Sequence, residues 1–93
     1  MSAQTGIRVR ITGRVQGVGF RYFTHHRATS YGLRGYVRNL ADGGVEVVAV
    51  GPPAVLAQLV GDLERGAPAS RVKECRVTWE QIPERFARFS IDP

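Results

Sequence analysis

A chain of 93 residues with 13 Lys and Arg against 8 Asp and Glu has room for one domain and carries a net charge of +5. Its composition, 43% hydrophobic and 23% charged, is that of a globular protein, which at this size buries somewhat above ~60% of its unfolded surface and needs no disulfide. A single cysteine rules out an internal disulfide, and no apolar run approaches the ~20 residues of a bilayer-spanning helix.

Residues 1–6 lack the apolar core of a secretory leader, so the sequence predicts a cytoplasmic protein, with one domain over residues 1–93. Ile7, Val9 and Ile11 alternate with Arg8, Arg10 and Thr12, the period of a strand with one face on a core. Next comes Gly13-Arg14-Val15-Gln16-Gly17-Val18-Gly19-Phe20-Arg21, which places three glycines and two arginines between that strand and a helix. A Gly-rich turn can aim successive N–H groups at an anion, and Arg21 falls in the helix's first turn, where free amides and the dipole favour negative charge. The segment therefore predicts a phosphate site.

Phe20, Thr24, Ala28 and Tyr31 carry the helical spacing, and Gly32 with Leu33 supplies its C-terminal stop. Gly35-Tyr36-Val37-Arg38-Asn39 reads as a strand, residues 40–44 as a hairpin turn with an Asp-Gly signal, and Val45–Val50 as the returning strand. Pro52 and Pro53 open a second helix, with a stripe of Leu56, Leu59, Val60 and Leu63, that ends at Gly66 and Pro68. Cys75, Val77 and Trp79 alternate with Arg76, Thr78 and Glu80 in a fourth strand, with Cys75 as a small buried side chain and Val72 at a strand entry or bulge. Ala87, Phe89 and Ile91 suggest a short final strand. The order β-α-β-β-α-β, with that extra strand, predicts a ferredoxin-like α+β sandwich: an antiparallel sheet with two helices on one face.

Several chemistries fail on residue type. The loop lacks the Lys and Ser or Thr of a P-loop, and Tyr22 stands where a dinucleotide site wants Gly or Ala. Cys75 lies far from the loop, which argues against a thiolate nucleophile. The neighbours His25 and His26 point about 100° apart on a helix, unlike an i, i+4 metal pair. The eight carboxylates form no cluster in sequence and read as solvated charges.

Gly13 to Arg21 and Gly35 to Asn39, in that order and joined by a helix, resemble the two signatures of the acylphosphatase family. The resemblance extends over nearly the whole chain. It implies hydrolysis of small acyl phosphates by a monomeric enzyme, with Arg21 binding the phosphoryl group and Asn39 orienting the attacking water. It also implies that the backbone of Val15, Gln16, Gly17, Val18, Gly19 and Phe20 cradles the phosphate oxygens. No metal or organic cofactor is called for, since a carboxylate leaves phosphorus without a strong acid, and alignment and charge stabilisation suffice. An RNA-binding module is the main competitor, on the basic charge and the stretch Arg34-Gly35-Tyr36-Val37, but the further alternating aromatics such a strand requires are missing. A regulatory or maturation domain of a larger machine is the other, and a free-standing enzyme is the simpler expectation. Neither nucleic acid nor membrane is expected as a partner.

Overall fold

The computed structural model describes residues 4–93, so the leader reading of Met1, Ser2 and Ala3 lies outside the described residues. The elements run β1 (Gln4–Arg14), α1 (Phe20–Ser30), β2 (Arg34–Asn39), β3 (Val45–Val50), α2 (Pro53–Arg65), β4 (Arg71–Ile82) and β5 (Phe89–Asp92). The sheet order is β4-β1-β3-β2-β5. The pairs β1–β3, β1–β4 and β2–β3 are antiparallel, as a ferredoxin-like sandwich requires, whereas β5 joins β2 in parallel and makes the sheet mixed.

Period-two alternation sorts the side chains. Ile7, Val9 and Ile11 of β1 sit opposite Ala49, Val47 and Val45 of β3, and all six are buried beneath the helices. The stripe of Leu56, Leu59 and Leu63 from α2 and the spaced Phe20 and Ala28 from α1 close this core. The same register puts Gly35, Val37 and Asn39 of β2 against Ala49, Val47 and Val45, so Asn39 belongs to the helix-covered face. That is why a residue ending β2 meets one that begins α1.

α1 stops as the sequence predicts. The N–H of Leu33 donates to the Ala28 carbonyl at 2.9 Å and that of Gly32 to Thr29 at 3.0 Å, the paired bonds of a Schellman cap. Val72 marks the expected bulge: Thr12 pairs with Glu74 but Gly13 with Val72, leaving Lys73 as the extra residue.

Three features depart from the sequence reading. Trp79 shares the phase of Cys75 and Val77 but remains 50% exposed, because β4 is an edge strand with a neighbour on one side only. The sheet's second face is partly covered: Val48, Val50 and Ile82 are buried there with Tyr36 and Phe86 packed on them. Two carboxylates are not solvated charges. Asp62 is 4% exposed, accepts a short hydrogen bond from the Tyr31 hydroxyl and pairs with Arg65 at 2.5 Å, tying α1 to α2. Glu46 accepts from Arg38 at 2.7 Å, Tyr36 at 3.1 Å and Arg8 at 3.3 Å on the open face.

Candidate active site

The Gly-rich segment divides between two tasks. Gly13 belongs to β1, where a Cβ would stand 2.1 Å from the Arg71 carbonyl oxygen, so close approach of β4 at the bulge demands glycine. Gly17 and Gly19 have open space around them but φ of 72° and 80°, the left-handed region that other residues enter at a cost. The loop proper is thus the chain from Val15 to Phe20. Both of these ends are buried in the core, whereas Gly17 and Gly19 are exposed, so an anchored turn presents its middle to solvent.

Gly19 is also the N-cap of α1. The usual Ser, Thr or Asp cap spends its side chain on the first free amides of a helix. Glycine cannot, and no side-chain cap bond is made. Because the first intrahelical bond is Phe23 N–H to the Gly19 carbonyl, at 3.0 Å, the amides of Phe20, Arg21 and Tyr22 have no acceptor inside the helix. The first turn contains no acidic residue, so its partial positive charge is not neutralised from within α1.

Val15, Gly17, Gly19, Phe20, Arg21, Tyr22 and Asn39 line one cavity of about 130 Å³. Arg21 arrives from the first turn of α1, and one of its guanidinium nitrogens donates to the Asp92 carbonyl at 2.9 Å, so β5 braces the side chain from behind. Asn39 arrives from the end of β2, and its Oδ1 is buried with no hydrogen-bond partner among the described residues. A buried acceptor is costly unless something donates to it. Arginine, amides and an unmatched acceptor in one small cavity can hold an oxyanion together with a water.

Of the loop residues expected to form the cradle, Gln16 and Val18 do not line the cavity. Val18 packs on the core. Gln16 turns its side chain to the hairpin, where Nε2 donates to the carbonyls of Leu40 and Gly44, each at 2.8 Å. It therefore fastens the loop to the turn immediately after Asn39. Tyr22 is the lining residue that sequence reasoning missed: it is 73% exposed and follows Arg21 directly, and nothing in the local pattern separates it from a surface aromatic.

The other candidates stand apart. Cys75 is half-buried on β4, and burial, with Glu64 nearby, pushes its thiol up to about 11, the opposite of an activated nucleophile. His25 meets Phe89 in a tilted ring pair with centroids 6.2 Å apart, and His26 is exposed. Among the described residues, no three of His, Cys, Asp and Glu come together in a way that could hold a metal ion.

The comparisons with known proteins bear on the family and the fold. The model of the acylphosphatase family matches residues 7–91. An acylphosphatase of Syntrophotalea carbinolica is 45% identical over 85 residues, 91% of this chain and 92% of its own. The crystal structure of the acylphosphatase from Bacillus subtilis superposes with a TM-score of 0.92 at 42% identity, covering 96% of this chain and 99% of that one. The crystal structure of full-length HypF in its phosphate- and nucleotide-bound form matches all of this chain at a TM-score of 0.83 and 25% identity, over 12% of its own length.

Proposed function

Since the chain belongs to the acylphosphatase family, we propose that it hydrolyses small acyl phosphates to a carboxylate and inorganic phosphate at the cavity between α1 and the end of β2. The observation that carries this reading is that Arg21 and the unpartnered Oδ1 of Asn39 lie at one cavity, beside the free amides of a glycine-capped helix. In the proposed mechanism the phosphoryl oxygens rest on the loop and helix amides and on the Arg21 guanidinium. Their charge is best stabilised as it spreads in the transition state. The Asn39 carbonyl oxygen accepts a hydrogen bond from water and directs its lone pair at phosphorus. As the new P–O bond forms, the bond to the acyl oxygen breaks and the carboxylate carries away that electron pair. The water's proton passes to a phosphoryl oxygen, so no protein base is needed and Asn39 remains neutral throughout.

The reading takes residues 1–93 as one domain that acts as a cytoplasmic monomer on a small substrate, without nucleic acid or cofactor. Against the RNA alternative, Tyr36 is not free to stack on a base: its ring meets Phe86 at 6.0 Å and its hydroxyl is engaged with Glu46.

Hydrolysis of acetyl phosphate in ¹⁸O-labelled water tests the mechanism. Attack at phosphorus puts the label in inorganic phosphate and none in acetate. Label in acetate would overturn the proposed water position, and no hydrolysis would overturn the function.

A further inference from the structure

Ile7, Val9 and Ile11 lie beneath the helices, so Arg8 and Arg10 between them belong to the sheet's open face. The β1–β4 register sets Arg76 directly opposite Arg10 and Thr78 directly opposite Arg8. Two cations thus face each other across neighbouring strands, an arrangement that destabilises a sheet unless anions stand with them. The carboxylates that do so are weak partners. Arg10 meets Asp42 at 3.4 Å and Arg76 meets Glu74 at 3.1 Å, and all four side chains are more than half exposed, where an ion pair contributes little and salt screens it. The other carboxylates of this face are engaged elsewhere: Glu46 Oε1 accepts from Arg38 and Tyr36, its Oε2 from Arg8, and Glu80 accepts from Arg8 at 3.1 Å. Arg8, Arg10, Glu46, Arg76 and Thr78 line one cavity of about 310 Å³, which shares no lining residue with the cavity at Arg21 and Asn39.

We infer that this cavity is a second, non-catalytic anion site, which takes a phosphate dianion, free or at the head of a phosphomonoester, between Arg10 and Arg76. A carboxylate has two oxygens and satisfies one guanidinium fork, which is all that Asp42 or Glu74 offers. A tetrahedral phosphate has oxygens for both forks and for the Thr78 hydroxyl, and its charge of about −1.5 to −2 offsets both cations. Arg8 adds a third positive charge to the lining, while the one carboxylate there, Glu46, already has both oxygens hydrogen-bonded. Replacing two exposed ion pairs with one doubly charged ligand therefore relieves the opposition of Arg10 and Arg76 while giving up little. The inference is independent of the hydrolysis proposed above, because it concerns a different cavity and is read without turnover.

The test titrates inorganic phosphate into the ¹⁵N-labelled chain at constant ionic strength and follows the backbone amides by two-dimensional NMR. The expected result is saturable shifts at Arg10, Arg76 and Thr78, separate from those of the loop between Val15 and Phe20. Arg21→Gln keeps the open-face shifts, whereas Arg10→Gln and Arg76→Gln each weaken that binding about tenfold or more. Both replaced side chains are exposed, and parental amide positions in α1 and α2 verify that each variant is folded. Shifts confined to the loop overturn the inference, as do open-face shifts that chloride reproduces at the same concentration, or that persist undiminished in both arginine variants. Shifts on the open face with none in the loop support this inference and count against the phosphate cradle of the proposed function. O-phosphoserine titrated in parallel separates the two sources: tighter binding than inorganic phosphate at the same amides assigns the site to phosphomonoesters, and weaker binding assigns it to free phosphate.

Discussion

At the scale of single residues, the site depends on side chains that hold the loop as much as on those that face the cavity. Gln16 makes two 2.8 Å bonds to carbonyls that flank the hairpin turn, coupling the loop to the strand end that carries Asn39. Replacing it with alanine removes both bonds and frees the loop from the hairpin, although the Gly44 carbonyl still accepts from the Leu40 N–H at 2.8 Å and the Leu40 carbonyl from the Gly43 N–H at 3.2 Å. Gln16→Ala is expected to lower stability by about 0.5–1.5 kcal/mol, the net worth of a hydrogen bond whose acceptors keep a second donor. The same change should lower kcat for acetyl phosphate, because a misplacement of the loop relative to Asn39 spoils alignment. Urea unfolding and steady-state kinetics check the two effects, and a variant with parental kcat would show that the loop holds its shape without Gln16. Part of this site was legible in the sequence: Arg21 and Asn39 each sit beside a recognisable motif. The task of Gln16 and the place of Tyr22 at the cavity were not, because a side chain's direction depends on partners distant in sequence, such as Gly44 for Gln16.

Among the elements, β2 and β3 show how alternation serves two faces at once. Val37 and Asn39 point to the helices, while Tyr36 and Arg38 point to the open face, where they meet Glu46. Burial disfavours the charged form of Glu46, but hydrogen bonding and charge from Arg38, then hydrogen bonds from Tyr36 and Arg8, outweigh it and hold the carboxyl below its ordinary value of 4.5. A carboxyl depressed in the folded state takes up a proton on unfolding in acid. Its stabilisation is therefore full above the ordinary value and fades as pH falls through the lowered one. Glu46→Gln is expected to cost about 1–2 kcal/mol at neutral pH, the range of a hydrogen bond to a partly exposed charge. The gap from the parent should close as pH drops well below 4.5, as followed by thermal melts across pH. A gap constant with pH would mean that Glu46 acts through shape alone. The strands themselves were readable because Ile7, Val9 and Ile11 alternate cleanly. The parallel pairing of β5 was not, since Phe89, Ser90 and Ile91 carry no signal that selects β2 as a partner or sets its direction.

For the whole molecule, the order of elements did most to reveal the site. A split β-α-β arrangement brings the beginning of α1 and the end of β2 to the same end of the sheet, and β5 then braces Arg21 through the Asp92 carbonyl. The positive charge of the chain, +5, is consistent with an anionic substrate but did not locate its site. Four of the arginines pair with carboxylates on the open face: Arg8 and Arg38 with Glu46, Arg10 with Asp42, Arg76 with Glu74. What singles out Arg21 is its place at the free N-terminus of α1, beside an unmatched asparagine oxygen. The most direct measurement is acetyl phosphate hydrolysis by the parent, Arg21→Gln and Asn39→Ala, each with kcat and KM resolved. The predicted result is a loss of about 2.7–4 kcal/mol of transition-state stabilisation for Arg21→Gln, with weakened binding, and for Asn39→Ala a fall in kcat at nearly constant KM. Near-parental turnover in either variant would contradict the role assigned to that residue.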